Sequence, residues 1–121
     1  MSDIADFLRA RYAEQRALAL AASPGPWHSD GGSVYATHPT DEVVNYTESA
    51  DHIAAHDPSA VLADLDAKLA IVDLMERTLS AAEGDSEVDH YGGLGVAEET
   101  LCRLAQPFAG HPDHKGEKWA P

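Results

Sequence analysis

The stretch Asp51-His52-Ile53-Ala54-Ala55-His56-Asp57-Pro58 decides how this chain of 121 residues is divided into helices. Proline disfavours helical geometry at the residue before it, so a short helix from about Glu48 to His56 should end at Asp57. Asp57 can then cap a new helix in which Pro58 occupies the first turn. The stretch therefore predicts a short helix before Pro58 and a long helix after it.

The helix after Pro58 should run to about Ala82, because apolar side chains recur along it near the heptad period. We expect this apolar stripe to pack into the core first. Its length also makes it the best candidate for a seam with a second copy of the chain across a two-fold axis. The stripe consists of Val61, Leu62, Leu65, Leu69, Val72, Met75 and Leu79.

Upstream of the junction, residues 2–22 have the pattern of a helix capped by Ser2. Pro and Gly in Ser23-Pro24-Gly25-Pro26 should end this helix. The rigid turn is expected to direct the indole of Trp27 into the core, at the entry to a small sheet. Two runs rich in β-branched and aromatic residues, 33–36 and 42–46, predict a β-hairpin across the turn-like residues 38–41.

The C-terminal third is predicted to hold one more helix. Gly, Asp and Ser in residues 83–95 favour a mobile loop. A helix over about 96–106 should then bury Leu101 and Leu104. In the tail from 108 to 121, Phe108 and Trp119 are placed to clamp the chain onto the body. The elements add up to a single α+β domain over residues 1–121 that is mainly helical.

The formal charge is −13, from 21 acidic and 8 basic residues. Such a surface repels phosphate backbones and anionic lipids, which disfavours direct binding of nucleic acid or of membranes. It suits a protein partner with a basic patch. One cysteine, Cys102, permits no disulfide within the chain. Neither a membrane-spanning run nor a signal peptide is evident, so we expect a cytoplasmic protein.

Three blocks of sequence together resemble a known protein family. They are Ser23-Pro24-Gly25-Pro26-Trp27, the His-Ile-Ala-x-His-Asp-Pro run of residues 52–58, and the closing His111-Pro112-Asp113. The chain resembles small uncharacterised proteins of actinobacteria and their phages, over nearly its whole length. More loosely, it is similar to phage early-region accessory proteins. The resemblance implies a phage or prophage-related origin and an architecture, but no reaction. That family has an aromatic residue at position 114 and Arg-Glu at positions 115–116, where this chain has His114-Lys115-Gly116.

A zinc site is one hypothesis that the histidines raise. His52 and His56 lie four residues apart on the predicted short helix, so both imidazoles share one face and can occupy two corners of a tetrahedron. His111 would supply a third ligand, and Asp113, His114 or Cys102 are further candidates. The alternative is structural, with His56 at the helix junction and hydrogen-bonded to the backbone.

Catalysis has less support in the sequence. His56 and Asp57 have the chemistry of a general acid–base pair, with Asp113 as a possible neighbour. No nucleophile stands in a recognisable motif, and Cys102 is expected to be a small buried hydrophobe. Residues 92–95 are rich in glycine before a helix but lack the Lys-Ser/Thr of a phosphate-binding loop. Enzymatic activity is therefore left open, and the favoured interpretation is that the protein is not an enzyme.

The function we expect is that of a non-enzymatic accessory protein that binds a protein partner, as a homodimer. The motif residues would mainly fix the helix junction against the C-terminal tail; they are Trp27, His52, His56, Asp57, Pro58, His111 and Asp113. Besides the zinc module, a binder of a small anionic ligand stays open, which needs some of Arg9, Arg11, Arg16 and Arg103 to converge. A DNA-mimic inhibitor is a weaker alternative that the charge allows.

Overall fold

A computed structural model describes residues 2–37, 41–83 and 92–121. In these ranges the chain forms four helices and one three-stranded antiparallel sheet, which confirms the predicted α+β, mainly helical class. The helices are α1 (Asp3–Ala21), α2 (Ala50–Ala55), α3 (Pro58–Glu83) and α4 (Gly93–Ala105). The strands are β1 (His28–Asp30), β2 (Ser33–Tyr35) and β3 (Glu42–Val44), and two short 3₁₀ helices, Gln106–Phe108 and Gly116–Trp119, follow α4.

The chain divides into two compact units. The first unit consists of Met1–Tyr12 with Lys68–Pro121, and the second unit of Ala13–Ala67. Helices α1 and α3 each contribute residues to both units. The single domain over residues 1–121 stays a prediction.

Asp57 lies between α2 and α3, as the sequence predicts. Its Oδ1 accepts a hydrogen bond from the backbone N–H of Ala60 at 2.8 Å, which is the bond of a helix N-cap. Its Oδ2 accepts a bond from the backbone N–H of Trp27 at 3.1 Å. The carboxylate is 8% exposed, so it is buried with both oxygens occupied. One side chain therefore begins α3 and holds the turn that follows α1.

The sheet has one strand more than predicted. β1 pairs with β2 through a two-residue turn, Gly31-Gly32, in which both residues have positive φ, +61° and +86°. Such turns match the twist of a hairpin, and glycine adopts them without steric cost. The Gly-Gly pair next to His28-Ser29-Asp30 was therefore a hairpin pattern that the prediction overlooked. The β2–β3 pair confirms the predicted hairpin, while residues 38–40 of its turn lie outside the described residues.

The apolar stripe of α3 lies in the core as predicted. Leu65 and Val72 are 1% and 0% exposed, and the other five members of the stripe are half-buried. The opposite side of the helix carries Ile71 and Leu74, which are 38% and 50% exposed. Leu65 and Val72, at the centre of the stripe that was the candidate seam, are therefore already covered by other residues of the same chain.

Helix α4 begins three residues earlier than predicted. Gly93, Leu94 and Gly95 were assigned to a mobile loop, but they form its first turn, after Gly92 with a φ of +73°. The reason is helical periodicity, because the half-buried Leu94 precedes the buried Ala97, Leu101 and Ala105 on one face. Leu101 is buried as expected and Leu104 is half-buried. Residues 84–91 of the predicted loop lie outside the described residues, and Glu83 ends α3.

The tail is clamped by the two aromatic residues that the sequence singled out. The ring of Phe7 on α1 lies 6.1 Å from Phe108 and 5.0 Å from Trp119, between ring centroids. Trp119 is 9% exposed, and Phe7 is 7% exposed. This aromatic cluster confirms the clamp and forms much of the core of the first unit.

Replacement of Asp57 should separate its two roles. We expect Asp57→Ala to lower the free energy of unfolding by about 2–3 kcal/mol, since the helix cap and the acceptor for Trp27 are lost together. Asp57→Ser, whose single hydroxyl can still cap α3, should lose about half as much. Urea unfolding measures both, with Glu42→Gln as the control at an exposed carboxylate. Equal losses for Ala and Ser would contradict the capping role, and a Ser variant as stable as the wild type would contradict the role of the Trp27 acceptor.

Candidate functional site

His52 and His56 form a pair on the exposed surface of α2 and the turn that ends it. Their ring centroids lie 4.3 Å apart. Nδ1 of His56 lies 2.8 Å from the backbone oxygen of His52, so it carries the proton and donates to that carbonyl. With the single proton on Nδ1, the lone pair of the imidazole is on Nε2. The same backbone contact is how metal-binding histidines are oriented in proteins, and it also serves a helix junction.

The structure does not assemble the predicted zinc ligands into a site that can be described. His52 and His56 belong to the second unit, whereas His111 belongs to the first. Across residues 2–37, 41–83 and 92–121, no group of three or more His, Cys, Asp or Glu side chains is placed to hold a metal ion. The zinc site that combines these three histidines stays a prediction.

His111 lies in the first unit against the guanidinium of Arg11. Nη1 of Arg11 is 2.8 Å from Nδ1 of His111, and the backbone N–H of Asp113 donates to the same Nδ1 at 3.0 Å. Both groups can only donate, so Nδ1 presents its lone pair to them. The carboxylate of Asp113 lies 3.7 Å from Arg11, and the Arg11 guanidinium sits 5.1 Å from the centre of the Phe7 ring. The His-Pro-Asp block thus holds a largely buried arginine.

His114 packs in the aromatic cluster of the first unit. Its ring packs edge-on against Phe7 and Trp119, at 5.7 and 5.1 Å between centroids. Its Nδ1 accepts a hydrogen bond from the backbone N–H of Gly116 at 2.9 Å. The imidazole therefore does the packing that an aromatic side chain would do at this position.

The four arginines that an anionic ligand would need are each engaged by their own chain. Arg9 bonds Asp73 at 2.7 Å and Glu76 at 2.9 Å. In the same way Arg16 pairs with Asp66, Arg103 with Glu99, and Arg11 with the His-Pro-Asp block. No local excess of positive charge results from these pairs. The anionic-ligand hypothesis gains no support from them.

The pairing of charges shifts two carboxyl pKa values. The hydrogen bond from Arg9 holds the pKa of Glu76 below its ordinary value, and the backbone N–H of Ser2 adds to the effect. Lys115, 2.7 Å from Asp3, likewise lowers the pKa of that exposed carboxyl. The carboxylates raise the pKa of Arg9 in return. These ion pairs favour the charged form of each carboxyl group, which is a structural role.

Cys102 does not have the setting of a nucleophile. Burial raises the pKa of its thiol, and the nearby carboxylates of Glu98 and Glu99 raise it further. A thiol with a raised pKa is less often in the reactive thiolate form at neutral pH. It lines, with Trp119 and Leu101, an open cleft of about 440 Å³. The sequence predicted a small buried hydrophobe, whereas Cys102 is half-buried at this cleft.

Four aromatic residues, Trp27, Tyr35, Tyr46 and Trp119, have different surroundings in the structure. Trp119 lies in the core of the first unit, and Tyr35 stacks on His28 at 5.6 Å between centroids. Trp27 is half-buried rather than in the core, because its Nε1–H finds an acceptor in its own turn, the carbonyl of Ser23, at 2.8 Å. Tyr46 is 72% exposed.

Tyr46 stands at an open cleft of about 590 Å³ in the second unit, which sequence reasoning missed. The cleft is lined by residues 29–32 of the β1–β2 turn and by residues between Tyr46 and Asp51. Its acidic side chains are Asp30, Glu48 and Asp51. The Gly31-Gly32 pair marks the β1–β2 turn in the sequence, but it does not show that residues 46–51 lie beside that turn.

A family model described as "Family of unknown function (DUF6221)" matches residues 1–121. The chain belongs to this family. No curated protein and no solved structure matches it. Membership of DUF6221 confirms the predicted kind of family, one without an assigned function, over the whole chain. In the described part of this DUF6221 protein, no helix has both the length and the apolar character needed to cross a membrane.

Stability should depend on pH through Glu76. Its pKa is lowered in the folded state, so its contribution is complete above the ordinary value of 4.5 and disappears as the pH falls through the lowered pKa. We expect Glu76→Gln to lower the free energy of unfolding by about 1 kcal/mol at neutral pH. At about pH 3, below the ordinary pKa of 4.5, the difference from the wild type should be smaller.

Urea unfolding of both proteins at the two pH values measures this difference. Glu117→Gln is the control, because Glu117 is exposed and its carboxylate has no partner among the described residues. A Glu76→Gln difference that is the same at both pH values would show that the charge of Glu76 contributes nothing.

Proposed function

We propose that this DUF6221 protein is a non-enzymatic accessory protein of phage or prophage type, from actinobacteria, that acts in the cytoplasm by binding a protein partner. We also propose that it does so as a homodimer. The observation that supports binding most directly is the outer side of α3. Two large apolar side chains, Ile71 and Leu74, are exposed there in a chain that has few large side chains to spare.

Ile71 and Leu74 form a small apolar patch. They lie three residues apart, so they are neighbours on one face of the helix. Ala70 and Ala67 next to them are exposed as well. Single exposed apolar residues are normal on protein surfaces, whereas contiguous apolar patches of more than a few hundred Å² mark contact surfaces. The patch therefore favours a macromolecule over a small polar ligand as the occupant.

The net charge of −13 limits the kind of partner. An acidic protein attracts basic surfaces and speeds its encounter with them, and it repels nucleic acid and other acidic proteins. A partner with a basic patch fits this charge. The resemblance of the sequence to phage accessory proteins supports a host or phage protein as that partner.

The homodimer would use a different face of α3 from the one first expected. Leu65 and Val72 are covered within the chain, so a second copy cannot pack on them without unfolding the first. Ile71 and Leu74 are accessible, and a two-fold axis beside them would bring both pairs together. The proposed seam is therefore the Ile71–Leu74 patch.

Native mass spectrometry should find a dimer of the purified, untagged protein. We expect Ile71→Gln with Leu74→Gln to give a monomer, because the double change removes the apolar contact and keeps good helix formers. Leu18→Gln is a matched control, since Leu18 is 74% exposed on α1. A wild-type monomer, or a dimer that survives the double change, would rule out this seam.

The zinc module is the alternative that the same spectrum tests. The observation in its favour is the His52–His56 pair, with the Nδ1 of His56 bonded to a carbonyl and Nε2 left as a ligand. A stoichiometric metal that is lost on His56→Ala would favour this alternative over a purely structural pair. A protein that binds no added zinc would reject it.

Binding of the partner should be electrostatic and therefore sensitive to salt. The immobilised protein should capture, from host extract at low ionic strength, a basic protein that leaves as the salt is raised, because screening weakens contacts between exposed charges. The captured protein, once purified, should bind again at a fixed stoichiometry. An unrelated protein of equal net charge is the control. A purified candidate that binds both proteins equally would contradict a specific partner.

A further inference from the structure

The cleft beside Tyr46 is built around an exposed aromatic ring that is held in place. Tyr46 has a φ of +46°, a left-handed backbone conformation that few residues other than glycine and asparagine adopt readily. Its backbone N–H donates to Oγ of Ser33 at 3.2 Å, and the N–H of Thr47 donates to the carbonyl of Gly32 at 2.6 Å. These bonds fix the chain on both sides of the ring.

The ring itself lies against Gly32. A Cβ atom at Gly32 would come within 2.9 Å of Cδ2 of Tyr46, so only glycine leaves room for the ring in this position. The contact covers one part of the tyrosine, and the side chain stays 72% exposed. A large aromatic side chain that is both positioned and exposed offers a flat surface for stacking.

The carboxylates around this ring lack cations. In the described residues Asp30 and Glu48 make no ion pair or side-chain hydrogen bond, and Asp51 accepts only the hydroxyl of Ser29, at 2.5 Å. No lysine or arginine is among the residues that line the cleft. By contrast, carboxylates such as Asp66, Asp73 and Glu76 each have an arginine partner. The cleft therefore combines an open aromatic ring with negative charge that its own chain does not neutralise.

We propose that this cleft binds an arginine side chain of the protein partner, with the guanidinium stacked on Tyr46 and bonded to Glu48 or Asp30. The inference rests on the proposed function and identifies the cleft beside Tyr46 as the place where the basic partner binds. Arginine fits better than lysine, because the guanidinium is planar, stacks on aromatic rings and offers several donors to carboxylates. The volume of about 590 Å³ exceeds a guanidinium, so neighbouring peptide groups of the partner fit as well.

A short peptide tests the cleft without the unidentified partner. We would titrate the ¹⁵N-labelled protein with acetyl-Gly-Arg-Gly-amide and follow the amide signals by NMR. The expected result is a set of shifts confined to residues 29–32 and 46–51. The same peptide with citrulline, which keeps the shape and loses the charge, should bind about tenfold more weakly.

Two variants locate the site. Tyr46→Asn removes the ring and keeps a residue suited to positive φ, so the fold should persist while affinity falls about two- to fivefold. Glu48→Gln removes one charge of the cleft and should also weaken binding, whereas Glu117→Gln, with the same change of charge in the first unit, should not. Shifts spread over the whole surface, or equal affinity in all three variants, would overturn the proposal.

The outcomes also separate this inference from the proposed function. A partner that binds wild type and Tyr46→Asn equally well would overturn the arginine cleft and leave the proposed function standing. Confined peptide shifts that Tyr46→Asn weakens would support the cleft, even if no protein partner is found and the proposed function fails.

Discussion

The carboxylate of Asp57 is the interaction on which the second unit depends. It is buried, and each oxygen accepts a backbone N–H, one from the first turn of α3 and one from Trp27. A buried carboxylate is tolerable only when its oxygens are satisfied in this way. Gly25 lies so close that a Cβ there would approach Oδ2 to 3.1 Å, which explains a small residue in the Pro-Gly-Pro turn. The sequence blocks 23–27 and 52–58 therefore contact each other through the hydrogen bond between Trp27 and Asp57.

The third block has a corresponding place in the first unit. His111 and Asp113 surround Arg11, whose guanidinium also faces the ring of Phe7. A largely buried cation needs acceptors and a polarisable neighbour; the block supplies the acceptors, and Phe7 supplies the ring. Asp57, His111 and Asp113 thus bond backbone and arginine groups, and His56 bonds the backbone carbonyl of His52. The recognition surfaces that we propose, the Ile71–Leu74 patch and the Tyr46 cleft, lie outside these motifs.

Much of the fold followed from local patterns. Pro58, the capping residues Ser2 and Asp57, and the periodicity of α3 fixed helices to within a residue or two, because each of these effects acts over one turn. The third strand was missed because residues 28–30 carry no β-branched or aromatic side chain, and only the Gly-Gly turn marked them. The start of α4 was misplaced because three glycines outweighed the spacing of Leu94 from Ala97 and Leu101. Burial outweighed local propensity in α4, whereas β1, whose residues are exposed or half-buried, depends on its pairing with β2.

The candidate site was less accessible to sequence reasoning, for a physical reason. Tyr46 and Gly32 are fourteen positions apart, and nothing in their immediate neighbours shows that they touch. The exposure of Tyr46 follows from its positive φ and from the β1–β2 turn, both of which are properties of the folded chain. The histidine pair, in contrast, was placed on one face by its spacing of four alone.

The contact between Gly32 and Tyr46 has a consequence for how the family can diverge. Gly32 is constrained twice, by a φ of +86° and by the ring that would meet any Cβ. Loss of the tyrosine would lift the second constraint and leave the first, so asparagine or aspartate, which tolerate positive φ, would become acceptable at position 32. The two positions should therefore vary together among relatives, with an aromatic residue at 46 occurring only where glycine stands at 32.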